Sequence, residues 1–197
     1  MFMGFLGLRG NDINSAWKKG SFGENTIIDN IDSGIWPESL SLSDSRIGPI
    51  PAKWCGGNII QINKLNGSIE VPCNRKLIGA IFFNKSYESF NEKFPRSQHI
   101  AYDLVGHETR TLSTINGNSV PGASIFNIGN RTVKGGSPKS RITTLKVSWS
   151  LEDATSYFGV DVLAAIDQEI NDTVDLIYVS TSGCTSTNSE EIFTDEV

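Results

Sequence analysis

The sequence predicts an α/β fold, in which a parallel β-sheet is flanked by helices. Short β-prone runs alternate along the chain with segments of helical periodicity, and this order typically builds a parallel sheet covered on both faces. Polar turn residues follow the first of these runs. In such folds the ligand sites lie at the carboxyl ends of the strands, so we expect functional residues there.

The first half of the chain contains two predicted strands. The first covers residues 26–31 (TIIDNI) and ends at Asp32, where turn residues take over. Residues 36–76 are rich in Pro, Ser, Asn and Gly and are predicted to form mainly loops. Residues 77–83 (LIGAIFF) are apolar and of strand length. The polar segment that follows, from residue 84 to about residue 103, is predicted to be a second, exposed loop-rich insertion.

A helix is predicted to begin at His107 and to stop at Asn116 and Gly117. Glycine suits a left-handed cap at the end of a helix. Residues 141–149 (RITTLKVSW) form the next predicted strand because they are rich in β-branched residues.

The last predicted elements are a helix and a strand. Residues 161–171 have helical periodicity, with three apolar residues on one face: Leu163, Ile166 and Ile170. Residues 176–180 (LIYVS) read as a strand. The chain of 197 residues has 38% hydrophobic and 20% charged residues, which favours one soluble domain over residues 1–197.

Composition narrows the range of partners. The net charge is −5 and no long basic run occurs, which argues against binding to nucleic acid or to an anionic membrane. No apolar stretch approaches the roughly 20 residues that span a bilayer. The first residues, MFMGFLGLRGND, lack the basic and long apolar regions of an export signal, so none is predicted within this sequence.

The cysteines and the asparagine triplets leave alternatives open. Cys55, Cys73 and Cys184 do not have the spacing of a zinc site, and we predict neither a metal nor another cofactor. Cys55 and Cys73 can be bridged, or all three can be free thiols. Four N-x-S/T triplets are glycan acceptors if the protein is exported: Asn66, Asn84, Asn130 and Asn171.

Two residues are candidates for catalysis. A triad hydrolase needs an acid that orients an imidazole and an imidazole that takes the proton of a hydroxyl. Asp32 follows a strand, and His107 stands at a predicted helix N-terminus, where the helix dipole favours a neutral ring. Taken singly, an Asp before Ser-Gly is usually a turn residue, and a histidine near a helix start is usually solvated or capping.

The two segments together resemble a known family. IDSGIWPES is similar to the aspartate motif of the subtilisin-like serine proteases, and VGHETRTLST is similar to their histidine motif, usually G-H-G-T-H-T. Further stretches resemble the plant branch of this family in the same order: PAKWCGG, CNRKLIGAIFFN, PGASIFNIGN, KGGSPKSRI, DVLAAID and STNSEEIFTDEV. The resemblance implies a partial subtilisin-like fold, the N-terminal portion of the peptidase domain, and an extracellular location.

The resemblance also implies roles. Asp32 orients the imidazole and supports it electrostatically, and His107 acts as general base and then as general acid. Residues 177–183 form an edge strand that pairs with a polypeptide substrate. Three of its residues lie near the pocket for the side chain before the scissile bond: Ser180, Ser182 and Gly183.

The family's nucleophile, in a G-T-S-M-type motif, and its oxyanion-hole asparagine have no counterpart before Val197. GCTST at residues 183–187 follows the substrate strand directly, so Ser186 does not match the attacking serine. We therefore expect the 197 residues alone to be inactive. The alternative function is a non-catalytic remnant or a peptide-binding module that uses the same edge strand.

Four residues depart from the family pattern. Glu108 replaces the glycine after the catalytic histidine, and Arg110 replaces the second histidine of the motif. Asp29 stands where a small residue is usual in a buried strand, and Thr173 replaces a glycine after a helix, where we expect a left-handed backbone. These changes suggest relaxed selection.

Overall fold

The computed structural model of the chain describes residues 14–56, 71–90, 98–151 and 154–181. Within these ranges the strands are, in chain order, β1 (Ile27–Asp32), β2 (Leu77–Phe82), β3 (Val120–Ile125), β4 (Ile128–Val133), β5 (Arg141–Lys146), β6 (Trp149–Leu151), β7 (Ala154–Ser156) and β8 (Leu176–Val179). The helices are α1 (Ala16–Lys19), α2 (Lys85–Phe90), α3 (His107–Asn116) and α4 (Gly159–Asp172). Single 3₁₀ turns cover Ser21–Gly23 and Leu40–Leu42.

The centre of the fold is a four-stranded parallel sheet in the order β2-β5-β1-β8. This confirms the α/β prediction and the four strands predicted from hydrophobic and β-branched runs. Because side chains alternate along a strand, the sheet has two different faces. Leu112 of α3 packs with Ile142 on one face, and Val162 and Ala165 of α4 pack with Leu145 on the other. We call these the α3 face and the α4 face.

The helix α4 forms as predicted, but of the three apolar residues predicted on one face only Ile166 is partly buried against the core. Leu163 is 46% exposed and Ile170 is 65% exposed. The buried residues of α4 are instead Asp161, Val162, Ala165, Glu169 and Asp172. Three acidic residues lie on this inner side, so the apolar periodicity of the sequence indicated only the edge of the buried face, at Ile166.

The helix caps differ from the prediction at one end and agree with it at another. Gly117 after α3 has φ −56° and ψ 138°, so the left-handed cap predicted there is wrong. Glycine is needed at this position because a Cβ atom would lie 2.5 Å from the carbonyl oxygen of Ser113. Thr173 after α4 does take the predicted left-handed conformation, with φ 61° and ψ 45°.

Two further features, a helix and a hairpin, were not predicted, and one open alternative is decided. Residues 85–90 form the helix α2 within the second predicted insertion, and its Tyr87 is buried against Trp149 and Phe158. An antiparallel hairpin, β3–β4, projects from the fold with Phe126 at its exposed turn. Cys55 and Cys73 are both free thiols, so the structure has the unbridged alternative for this pair.

Candidate active site

Asp32 is the last residue of β1, at the carboxyl end of the parallel sheet. Its side chain is buried on the α3 face. Its backbone oxygen accepts hydrogen bonds from Val147 N at 2.9 Å and from Ser148 N at 3.0 Å, which tie the chain after β5 to this point. Because strand pairing and these two bonds fix its backbone, the carboxylate has a defined position at the rim of the sheet.

The loop after Asp32 depends on Gly34. Its φ is 103°, a conformation that residues with a side chain rarely adopt. A Cβ atom at this position would also lie 2.4 Å from the carbonyl oxygen of Ala101. Ile35 then donates to Ala101 O at 2.9 Å, and its own carbonyl accepts from Asp103 N at 3.0 Å. These contacts bring residues 101–103 against the loop that follows β1.

Asp103 organises the start of α3. Its Oδ1 accepts from the backbone N–H groups of Val105 at 3.1 Å and Gly106 at 2.7 Å. Its Oδ2 accepts from Thr109 N at 2.9 Å and from Thr109 Oγ1 at 2.6 Å. The Ser33 hydroxyl also donates to Oδ1, at 3.2 Å. Asp103 therefore satisfies N–H groups at the helix start and joins them to the loop after β1.

His107 is the first residue of α3, and its imidazole ring contacts the carboxylate of Asp32. The distance between His107 Nδ1 and Asp32 Oδ2 is 2.7 Å, although 75 residues separate them in sequence. The His107 side chain is 40% exposed, whereas that of Asp32 is buried. Burial raises the pKa of Asp32 above its ordinary value, and the charge and hydrogen bond of His107 counteract this shift.

Glu108 is fully buried beside this pair, with 0% exposure. Its Oε2 accepts a hydrogen bond from the backbone N–H of Gly34, and its Oε1 accepts one from the hydroxyl of Thr144 on β5. Burial raises the pKa of Glu108 well above its ordinary value, and the negative charges of Asp32 and Asp29 raise it further. The two hydrogen bonds act in the opposite direction.

Lys146 supplies a buried cation at the end of β5. Its Nζ donates to Tyr102 O at 2.7 Å and lies 4.8 Å from the centre of the Trp149 ring. Burial lowers the pKa of Lys146 to about 8, while the negative charges of Glu108 and Asp103 oppose this shift. Lys146 therefore holds the segment before α3 through a backbone carbonyl.

An open cavity of about 490 Å³ lies next to the start of α3. Arg110, one of the departures from the family pattern, stands in its wall. The lining residues are Trp36, Ser39, Asp103, Gly106, Thr109, Arg110 and Ser113.

The other predicted site residues are only partly described. Ser180 follows β8 directly, and its N–H donates to Ile31 O at 3.3 Å. Ser182, Gly183 and Asn66 lie outside the described residues. Asn130 and Asn171 are exposed, whereas Asn84 is 7% exposed and its side-chain amide donates to Glu88 Oε1 at 3.0 Å.

Sequence reasoning missed Asp103, Thr109 and Lys146 as parts of the site. A signal for Asp103 was available, because an aspartate a few residues before a predicted helix is a typical capping residue. Lys146 carried no such signal, since its hydrogen-bond acceptor, Tyr102 O, lies 44 residues away in sequence. Within the described part of the chain, no group of three or more His, Cys, Asp or Glu side chains is arranged to hold a metal ion. No described helix is long and apolar enough to cross a membrane.

The fold and the site define a class. An aspartate at the carboxyl end of a parallel strand, hydrogen-bonded to the Nδ1 atom of a histidine at a helix start, is the arrangement of the acid and base in a Ser-His-Asp hydrolase.

Comparison with known proteins identifies the family. A subtilisin-like protease of Glycine max is 56% identical over 193 residues, which are 98% of this chain and 24% of that protein. The subtilisin-like proteases SBT5.4 and SBT5.3 of Arabidopsis thaliana are 46% and 47% identical over 86% and 91% of the chain, and the matches cover 21% and 23% of their lengths. No protein-family model matches. The chain belongs to the subtilisin-like protease family of plants, and it spans about a quarter of the length of these relatives.

Proposed function

We propose that this chain supplies the acid and the base of a subtilisin-like serine endopeptidase. The observation that carries the proposal is the 2.7 Å contact between His107 Nδ1 and Asp32 Oδ2. When the proton of the neutral ring is on Nδ1, the Nδ1–H group donates a hydrogen bond to Asp32 and Nε2 is free to accept a proton. Nε2 then takes the proton of a serine hydroxyl as that oxygen attacks the peptide carbonyl, and returns it to the leaving amine.

Asp32 orients the ring and stabilises the imidazolium that forms during the reaction. Its buried backbone and the five donors around Asp103 restrict the relative motion of β1 and α3. Such restriction favours catalysis because the base must stay within hydrogen-bond reach of the proton it removes.

The nucleophile and the oxyanion-hole asparagine have no counterpart in these 197 residues, so we propose that the segment alone does not hydrolyse peptides. In a subtilisin, loss of the serine lowers turnover by about 10⁶. Loss of the asparagine of the oxyanion hole lowers it by roughly 10² to 10³.

The proposed substrate is a polypeptide that adds to the edge of the sheet along β8. In the described part of the chain β8 pairs with β1 on one side only, and Ser180 follows it. An unpaired strand edge can accept an extended peptide through backbone hydrogen bonds. The same edge supports the second candidate function, a module that binds peptides without cleaving them.

We also propose an extracellular location, by family, with glycans on Asn130 and Asn171. Both side chains are exposed. Asn84 is the weakest of the three described acceptors, because a glycan on its amide nitrogen would compete with the hydrogen bond to Glu88 and would have to leave a buried site.

The test uses the longest polypeptide encoded in frame with this chain, produced as wild type, His107→Ala and His99→Ala. The chain has only two histidines, so His99 is a matched control. We expect peptide hydrolysis by the wild type and the His99 variant, and a loss of about 10⁴-fold or more for His107→Ala. Equal activity in both variants would refute the role of His107. Peptide binding without cleavage in all three would favour the second candidate.

A further inference from the structure

The residue after the catalytic histidine departs most sharply from the family. The family motif has glycine there, which has no side chain to make a contact. In this chain Glu108 extends into the space between α3, β5 and the loop after β1, with 0% exposure. Both of its carboxyl oxygens are hydrogen-bonded, one to the N–H of Gly34 and one to the hydroxyl of Thr144.

These two contacts join the helix that carries His107 to the loop after Asp32 and to the strand β5. Gly34 stands two residues after Asp32, and Glu108 stands one residue after His107. Thr144 lies on β5, which pairs with β1 along its whole length. Glu108 N also donates to Ser33 Oγ at 3.3 Å. The side chain and backbone of Glu108 thus connect the helix that carries the base to the loop and sheet that carry the acid.

Glu108 makes no ion pair with a described residue. Among the described residues, no Lys, Arg or His nitrogen lies within 4.0 Å of its carboxyl oxygens. The charged groups that interact electrostatically with it are Asp32 on the same face of the sheet, Asp29 on the opposite face, and Lys146 on β5. Lys146 donates instead to Tyr102 O. A buried carboxylate without a cation is costly, and a neutral acid avoids that cost.

We propose that Glu108 is a positioning residue that, as an uncharged acid, clamps the loop after Asp32 and the strand β5 to the helix that carries His107. In this neutral form Oε2 accepts from the N–H of Gly34, and the proton on Oε1 is donated to the hydroxyl oxygen of Thr144. The proposal rests on the function proposed above, because it assigns Glu108 a part in the same site. Burial and the nearby charges of Asp32 and Asp29 raise the pKa of Glu108, which agrees with the neutral form. At this position glutamate in place of glycine therefore adds two side-chain hydrogen bonds, to Gly34 and Thr144, without adding a charge.

The test compares the full chain with three variants: Glu108→Gln, Glu108→Ala and Asp167→Asn. Glutamine keeps an acceptor for Gly34 and a polar partner for Thr144 without an ionisable proton. Alanine removes both contacts. Asp167 is an exposed carboxylate on α4 and serves as the control for removal of a charge.

Two NMR measurements give the readout. The first follows the side-chain carboxyl carbon of Glu108 against pH. We expect it to titrate well above the range of ordinary glutamates. The second uses ¹⁵N shifts to determine which ring nitrogen of His107 carries the proton. We expect the Nδ1-protonated form in the wild type, in Glu108→Gln and in Asp167→Asn, and its loss in Glu108→Ala.

Stability adds a third readout. If folded Glu108 holds a proton that the unfolded chain has lost, the unfolding constant of the wild type rises relative to that of Glu108→Gln as pH increases. The expected rise is up to about tenfold per pH unit.

Either of two results overturns the proposal: an ordinary titration of the Glu108 carboxyl, or an intact Nδ1-protonated His107 in a folded Glu108→Ala variant. If Glu108→Ala does not fold, the titration and the Glu108→Gln comparison decide. None of these readouts needs hydrolysis. If the longest in-frame polypeptide has no peptidase activity but Glu108 is neutral, the proposed function is refuted and this inference stands.

Discussion

Both faces of the central sheet bury carboxyl groups, but the two faces differ in how many hydrogen-bond donors these groups have. On the α3 face, both carboxyl oxygens of Asp103 and of Glu108 have hydrogen-bond donors. On the α4 face, Asp29 and Glu169 share one donor, the Thr143 hydroxyl, at 2.8 and 3.3 Å. Three oxygens there have no partner among the described residues: Asp29 Oδ2, Glu169 Oε1 and Asp172 Oδ2.

This difference shows that the α3 face of the sheet fixes the orientation of its carboxyl groups more fully than the α4 face does. On the α3 face backbone N–H groups and hydroxyls hold each carboxyl in one orientation, as a catalytic arrangement requires. On the α4 face burial makes the ionised forms of Asp29 and Glu169 costly. Burial is the main cause that raises the pKa of Asp29 to about 7 and that of Glu169 to about 10. The charge of Asp29 raises the pKa of Glu169 further, whereas the hydrogen bond with Glu169 lowers that of Asp29. These acids support no chemistry that we can identify and carry a cost in stability.

The largest expected effect is therefore a loss of stability with rising pH. Folded Asp29 holds its proton up to about pH 7 and folded Glu169 up to about pH 10, whereas the unfolded chain loses both protons above about pH 4. Because the folded pKa values are the higher ones, the free energy of unfolding is greatest in acid and falls as pH rises. The slope is up to about 1.4 kcal/mol per pH unit for each such proton. Urea unfolding between pH 5 and 9 measures it.

The control for this prediction is the double variant Asp29→Asn/Glu169→Gln, which removes these two titrating groups and keeps Glu108. We expect its stability to depend less on pH than that of the wild type. Parallel curves for the two proteins would show that the acids of the α4 face are not the source of the dependence.

A smaller effect is expected from removing one acid. Asp29→Ala replaces a buried carboxyl by a small residue of the kind the family has at this position. We expect the free energy of unfolding at pH 7 to rise by about 1 to 3 kcal/mol, because an incompletely paired polar group no longer has to be buried. Asp167→Asn, on the exposed side of α4, should change it by less than about 0.5 kcal/mol. A less stable Asp29→Ala protein would indicate that the cluster is a cooperative network.

The strands of the sheet and the helix at His107 were predictable because each has a local pattern, such as β-branched residues in 141–146 or a turn after Asp32. The motifs IDSGIWPES and VGHETRTLST also singled out Asp32 and His107. The inner side of α4 was not predictable, because a helix that buries Glu169 breaks the rule that apolar periodicity marks the buried face. The contacts of Glu108 were not predictable either, since they depend on residues 36 and 74 positions away.

The central claim is that Asp32 holds His107 with its proton on Nδ1. ¹⁵N NMR of the chain at about pH 9, where imidazoles are generally neutral, tests it most directly. His99→Gln assigns the signals, because the chain has only two histidines. We predict that Nδ1 carries the proton in the wild type and that Asp32→Asn moves it to Nε2. A His107 protonated on Nε2 in the wild type, with no response to Asp32→Asn, would contradict the account.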